Sequence, residues 1–230
     1  GWVLPYLDDL PADQERVQAL LQALDKGNAG WPVADSAAAR QRFQVADYLF
    51  QRRIDLAWDE FPGTSIFLGT SPGFRKVHAR NHTQGAIYSI TFNGFDAPAT
   101  SGAWLQPSLL QIRAPLAVVA DGYSLQRQGE RWLSGSGRAP DERELERLLG
   151  ALRNMRIEGV ADADLQRELA AAEADIALDV VDLGGQVVLE LFAVGERHFI
   201  HSSKYPYFFA FSAWDFERLA TVDLDLISGN

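Results

Sequence analysis

The sequence predicts an α+β fold of two tandem repeats, residues 1–114 and 115–230, each an antiparallel sheet with two helices on one face. Three observations predict it. The first is recurrence: Trp2, Asp13, Val17, Leu20, Leu21 and Leu24 are answered by Trp132, Asp141, Leu145, Leu148, Leu149 and Leu152. The tryptophans lie 132 − 2 = 130 positions apart and the last leucines 152 − 24 = 128. Ile54-Asp55-Leu56 is answered by Ile176-Ala177-Leu178 and Gly73-Phe74-Arg75 by Gly195-Glu196-Arg197, both offset by 122. Offsets steady within elements and stepped between them are what duplication with loop deletions leaves. The second is helical periodicity at the head of each copy, and the third a run of strands between turn residues behind it.

The elements follow in order. Asp13 and Asp141 stand at N-caps, where a carboxylate accepts from the free N–H groups of the first turn. Glu144, three residues after Asp141, has the spacing of a capping box. Behind both caps, apolar residues at i, i+3, i+4 and i+7 mark one helical face, and Lys26-Gly27 is a stop signal for the first helix. Second helices are expected over 37–52 and 162–174. Strands are expected at 54–58 and 65–69 around a Phe61-Pro62-Gly63 turn, and at 176–182 and 186–193 around Gly184-Gly185. Further strands fall at 74–79, 86–92, 197–201 and 207–211, and closing segments begin at Trp104-Leu105 and Trp214. Residues 111–115 join the copies without linker composition, which favours copies packed on each other. A strand, an Asp121-Gly122 turn and a second strand (116–127) precede Trp132. Nothing equivalent precedes Trp2, so further chain upstream of Gly1 is expected, with processing at that point as the milder alternative.

Composition sets bounds. At 47% hydrophobic and 23% charged residues, 230 residues can build a sizeable core. Thirty-one acidic against 21 basic residues give a net charge of −10, which repels phosphate backbones and anionic lipid surfaces, so no nucleic-acid partner is expected. Without cysteine, disulfide scaffolds, thiolate zinc sites and cysteine nucleophiles are excluded. No apolar run approaches the roughly 18 residues of a membrane span. No cofactor and no metal is expected.

Several motifs invite chemistry. Gly69-Thr70-Ser71-Pro72-Gly73 fits the G-x-S-x-G nucleophile elbow, but the elbow needs the N–H after the serine as an oxyanion donor and Pro72 has none. A hairpin turn is expected there. His78 and His82, and His198 and His201, are read as surface or hydrogen-bonded histidines, because zinc requires three or four ligands. The sharper alternative brings His78 to His198 or His201 across a pseudo-twofold. The aromatic run 204–211 suggests a strand buried on at least one face, with a stacking platform as the alternative. Asp8-Asp9, Asp223 and Asp225 are read as solvated carboxylates. Arg75, Lys76 and Arg80 cluster beside His78 as a small anion-binding or docking spot, or as a charged strand edge.

Ser65-Ile66-Phe67-Leu68-Gly69, Val77-His78-Ala79-Arg80, Ala86-Ile87-Tyr88-Ser89-Ile90 and the stretch from Trp104 to Ile112, followed by Trp132-Leu133 and the leucine-striped helix, resemble the bacterial family of domains of unknown function DUF4340. The chain departs from the family pattern at Gln106-Pro107-Ser108, where charged residues are usual. The resemblance implies a domain that follows an N-terminal membrane anchor, faces the periplasm and is associated with ABC transporters of the gliding-motility type. It carries over no catalytic residue. The expectation is therefore a non-enzymatic interaction or scaffold module with a membrane-protein partner, an anchor upstream, and contacts at Arg75, Lys76, His78, Arg80 and Tyr205. The alternatives are a carbohydrate- or small-molecule-binding protein or hydrolase, using a carboxylate pair between the repeats, and a purely structural scaffold.

Overall fold

The computed structural model describes residues 1–27, 30–58 and 61–229. It is mixed α and β with antiparallel sheets, and it divides into two compact units, Gly1–Trp104 and Leu105–Asn230.

The first unit opens with a short ladder of β1 (Val3–Leu4) and β2 (Leu10–Pro11), then α1 (Gln14–Asp25). Asp13 caps α1 as expected, accepting from the N–H groups of Glu15 and Arg16. After α2 (Ala37–Arg42) come the paired β3 (Val45–Ala46) and β4 (Leu49–Phe50). An antiparallel meander of β5 (Arg52–Trp58), β6 (Phe61–Leu68), β7 (Lys76–Asn81) and β8 (Tyr88–Thr91) completes the unit.

The two helices of this unit do not share a face of the sheet, as the sequence reading had them. Successive strand residues point to opposite faces, and the register pairs Phe67 with Arg80 and Leu68 with Ala79. Leu68, Ala79 and Ile90 pack with Leu20 of α1. Phe67 packs instead with Val45 and Ile87, against Ala39 and Phe43 at α2. Helical periodicity says which stripe of a helix is apolar; it does not say which side of a sheet takes it.

The second helix is also shorter than the expected 37–52. Gln44 takes a left-handed conformation (φ 56°), and the Phe43 carbonyl accepts from the Thr70 N–H at 2.9 Å, so a tertiary hydrogen bond replaces the next turn of helix. Gly69 permits that approach: a Cβ there would lie 2.0 Å from the Phe43 oxygen. Val45, fully buried, then enters β3. Phe61-Pro62-Gly63 is strand rather than turn. Trp58 pairs with Phe61; residues 59 and 60 lie outside the described residues. A register shift between Leu56 and Trp58 sits opposite Pro62, the bulged context in which a strand tolerates a residue without an N–H.

The second unit builds one eight-stranded sheet. Its elements are β9 (Pro115–Ala120), β10 (Tyr123–Gln128), β11 (Arg131–Ser134), α3 (Glu142–Asn154), β12 (Ile157–Val160), α4 (Ala163–Ala171), β13 (Ile176–Asp182), β14 (Gly185–Val194), β15 (Arg197–Ser202), β16 (Phe208–Phe211), α5 (Ala213–Ala220) and α6 (Leu224–Ser228). The spatial order is β11-β10-β9-β13-β14-β15-β16-β12 and every neighbouring pair is antiparallel. The early strand–turn–strand is part of this sheet, because β9 pairs with β13.

Here too the helices take both faces. Phe192, Phe199 and Phe208 pack with Leu165 and Leu169 of α4. On the other face Val118, Leu178, Val180, Leu189, Leu191, Ile200 and Phe209 are buried; α6 sits against β10, α5 against β15, and α3 packs on both of these helices. The aromatic run is therefore core on two sides, Phe208 facing one and Phe209 the other. Residues 105–112, which a repeat boundary at 114/115 assigns to the first copy, hydrogen-bond into this unit. The Ile112 N–H donates to Leu152 O and the Ile157 N–H to Pro107 O, each at 3.0 Å. Each unit holds two helices followed by a four-strand meander, α1, α2 and β5–β8 in one, with β3 and β4 before the meander, and α3, α4 and β13–β16 in the other, with β12 between the helices. Among the described residues no helix is long and apolar enough to cross a membrane.

Candidate functional site

Four of the five residues singled out in the sequence lie on or beside β7, and they divide by burial. Arg75 and Lys76 are exposed at a tight turn where Ser71 Oγ lies 2.7 Å from Gly73 O and 2.6 Å from Lys76 O. Ser71 thus serves a hairpin turn rather than a nucleophile elbow. Arg75 is held at φ 51°, a left-handed conformation costly for a residue with a Cβ. Its guanidinium lies over the ring of Phe74, which is 88% exposed. His78 and Arg80 point into the layer under α2. The His78 ring stacks on Phe43 at 4.0 Å and its Nδ1 lies 2.8 Å from the Thr70 carbonyl. Arg80 is 2% exposed; its Nε donates to Val45 O at 2.7 Å and its Nη2 lies 3.0 Å from Asp47 Oδ1. The second contact is an ion pair by distance, though its angle falls short of a good hydrogen bond. Burial pushes the Asp47 carboxyl up, but the adjoining Arg80 guanidinium and His82 ring outweigh it and hold the group below its ordinary range. His78 and Arg80 thus act inside the fold, leaving Arg75 and Lys76 as the accessible part of that cluster.

Tyr205 belongs to the second unit. It is half-buried with its ring edge-on to Phe209 at 6.2 Å, and burial raises its phenol above the usual range. Its carbonyl lies 3.1 Å from His201 Nε2, while His201 Nδ1 lies 2.8 Å from Glu190 Oε2. His198 turns to the opposite side of β15, its ring 4.5 Å from that of Phe216 on α5.

A separate depression lies beside α3 in the second unit. It is an open groove of about 840 Å³. One wall is a helical stripe from α3: Glu142, Leu145, Glu146, Leu149 and Arg153, with Arg143 and Arg147 beside it. The spacing of three and four brings these residues to one side of the helix. The other wall is the entry to β9 (Arg113, Ala114, Pro115) together with Arg127, Glu130 and Trp132 from the β10–β11 hairpin. Leu145, Leu149, Pro115, Ala114 and the half-buried Trp132 supply apolar surface, and charges line the rim.

Those charges are unequally committed. Arg147 Nε donates to Glu144 Oε2 at 3.0 Å, Nη1 donates to Arg218 O at 3.2 Å, and Nη2 donates to Thr221 O. Glu144 Oε1 also accepts from the Asp223 N–H at 2.8 Å. Glu144 thus does not close the capping box with Asp141; it ties α3 to the segment between α5 and α6. The hydrogen bonds from Arg147 pull its carboxyl below the ordinary 4.5, against burial and with help from the Asp223 N–H. Arg153 pairs with Glu146 at 2.6 Å. Among the described residues Arg127 donates only to Gly129 O. The side chains of Arg113 and Arg143 make no hydrogen bond or ion pair among the described residues. The groove therefore carries three arginines without a carboxylate, set against Glu130 and Glu142.

Sequence reasoning marked Trp132 and the α3 leucines as fold landmarks and missed them as groove lining. The available signal was arginine at 143, 147 and 153 beside the leucine stripe. What brings Arg113 and Arg127 to the same place is the pairing of β9 with β10, and no local pattern reports it.

A family model described as "Domain of unknown function (DUF4340)" matches residues 2–175, a span that contains every residue lining the groove. No curated protein and no solved structure matches the chain.

Proposed function

The chain belongs to the DUF4340 family, and from that premise we propose that it is a non-enzymatic interaction module, the periplasm-facing part of a membrane-anchored accessory protein of an ABC-type transport system. The groove beside α3 carries the reading. It is open along its length, apolar at its base and charged at its rim, the anatomy of a surface that takes a polypeptide segment. Reaction chemistry, by contrast, profits from a site that closes and expels water. A second contact surface lies at the β6–β7 turn, where Arg75 and Lys76 flank the exposed Phe74, and Tyr205 is a third contact. The two units derive from one ancestral unit by duplication; the shared helix–helix–meander order supports that descent.

The test is site-specific photo-crosslinking in intact cells, with the photoreactive residue at Leu145 or Phe74 and at Gln166 as a control. The expected outcome is an adduct containing a transport-complex subunit from position 145 or 74 and none from 166. Adducts from no position, or the same adducts from all three, would overturn the reading. Protease added to spheroplasts is expected to digest the domain; protection until lysis would refute the periplasmic placement.

A further inference from the structure

Resting on the reading of the groove as a docking surface, we propose that its occupant is an acidic amphipathic peptide segment, one that lays apolar side chains on Trp132, Leu145 and Leu149 and offers carboxylates to Arg113, Arg127 and Arg143.

The argument is one of charge and shape. The second unit holds twelve Lys and Arg against twenty Asp and Glu, a net of −8. The groove reverses that sign, with five arginines against three glutamates, a net of +2. A cationic partner drawn to the unit's general field is therefore steered elsewhere, and an anionic one meets attraction here. Three of the guanidiniums are not held by carboxylates, so binding does not first break an ion pair. The planar guanidinium fork suits a carboxylate better than an ammonium would. Arg147 and Arg153 serve differently: fixed by Glu144 and Glu146, they stiffen the α3 wall, which lowers the ordering cost of docking.

Glu130 and Glu142 set the limit on the partner. They stand among the arginines and repel a uniform polyanion, so a nucleic acid or polyphosphate gains less than a peptide whose carboxylates are spaced to avoid them. The apolar base contributes what charge alone does not. A half-buried tryptophan beside two leucines is the kind of anchor pocket in which interface energy concentrates.

The experiment uses the full chain and two synthetic twelve-residue peptides with the same leucine positions, one with glutamate and one with lysine elsewhere. Binding is followed at the Trp132 indole N–H by NMR, which reports on the groove and not on the rest of the surface. The glutamate peptide is expected to shift that resonance saturably, the lysine peptide to bind at least tenfold more weakly, and 0.5 M salt to weaken the glutamate complex severalfold. Arg113→Glu/Arg143→Glu, at two exposed positions, is expected to keep the circular dichroism and to reduce affinity for the glutamate peptide at least tenfold. A Leu145→Ala chain, which keeps the Trp132 reporter, is expected to bind the glutamate peptide severalfold more weakly while its circular dichroism is kept. Equal binding of both peptides, no shift with either, or an unchanged affinity in the arginine variant overturns the proposal. So does a concentration-dependent dimer that the arginine variant abolishes, which would assign the groove to a second copy of this chain. An adduct from position 145 with no preference for the glutamate peptide would leave the interaction module standing and remove only the acidic partner.

Discussion

Tyr123 shows how much a single atom decides. The side chain is 9% exposed, and its hydroxyl makes no hydrogen bond among the described residues. Burial, with Glu144 adding and Arg147 opposing, pushes the phenol up to about 12. Tyr123→Phe removes a buried hydroxyl without a partner, so it is expected to raise stability by about 1 kcal/mol at neutral pH, read from urea denaturation. The sign of the pH effect follows from the raised folded value. The contribution is full below the unfolded value near 10 and falls between about 10 and 12 by about 1.4 kcal/mol per unit. The phenylalanine variant is expected to lose that alkaline slope; an unchanged slope would place the burial elsewhere. Glu144 behaves oppositely. Its carboxyl is held low by Arg147, so its contribution is present above its ordinary 4.5 and lost as pH falls through the depressed folded value. Glu144→Gln is expected to destabilise at pH 7 and to flatten the stability profile below about pH 4.5, measured by thermal melts across pH.

At the scale of elements, the caps behave as local rules require. Asp13, Asp141 and Asp162 each accept from two backbone N–H groups of the helix they open. Local rules cannot say which face of a sheet a helix covers, since an apolar stripe is satisfied by either. In the second unit α4 lies on the Phe199 face and α5 on the Ile200 face, adjacent residues of one strand. Leu169, 1% exposed against Phe192, Phe199 and Phe208, is therefore the keystone of one layer. Leu169→Ala is expected to cost about 3 kcal/mol through lost burial and a residual cavity. It is expected to raise hydrogen exchange in α4 before α3. A uniform rise over both helices would contradict the two-layer packing. The premature end of α2 has the same origin: residues 43–52 carry no helix breaker, and only the approach of Gly69 and Thr70 diverts them.

At the scale of the molecule, the two units complete their own sheets. The segment 105–112, the eight-stranded ladder and helices α3 to α6 close their backbone hydrogen bonds within Leu105–Asn230. That fragment is expected to melt cooperatively on its own and to keep the groove, whereas a fragment starting at residue 115 is expected to be less stable by several kcal/mol, having lost the buried Leu105, Leu110 and Ile112. Non-cooperative melting of the longer fragment, or equal stability of the two, would show that the unit is drawn wrongly.

What the sequence by itself determined is whatever depends on neighbours along the chain. That covers the caps at Asp13 and Asp141, the helical stripes behind them, the Gly184-Gly185 hairpin, the turn at Ser71 and the family. A cap reads three residues and a stripe reads eight, so these were legible in one dimension. The tertiary structure decided what depends on groups far apart in sequence. It turned His78 and Arg80 inward to Thr70, Val45 and Asp47, set the helices on both faces of each sheet, and drew Arg113, Arg127 and Arg143 around Trp132. Strand pairing and side-chain burial are long-range choices made by the whole core at once, and a groove exists only after they are made.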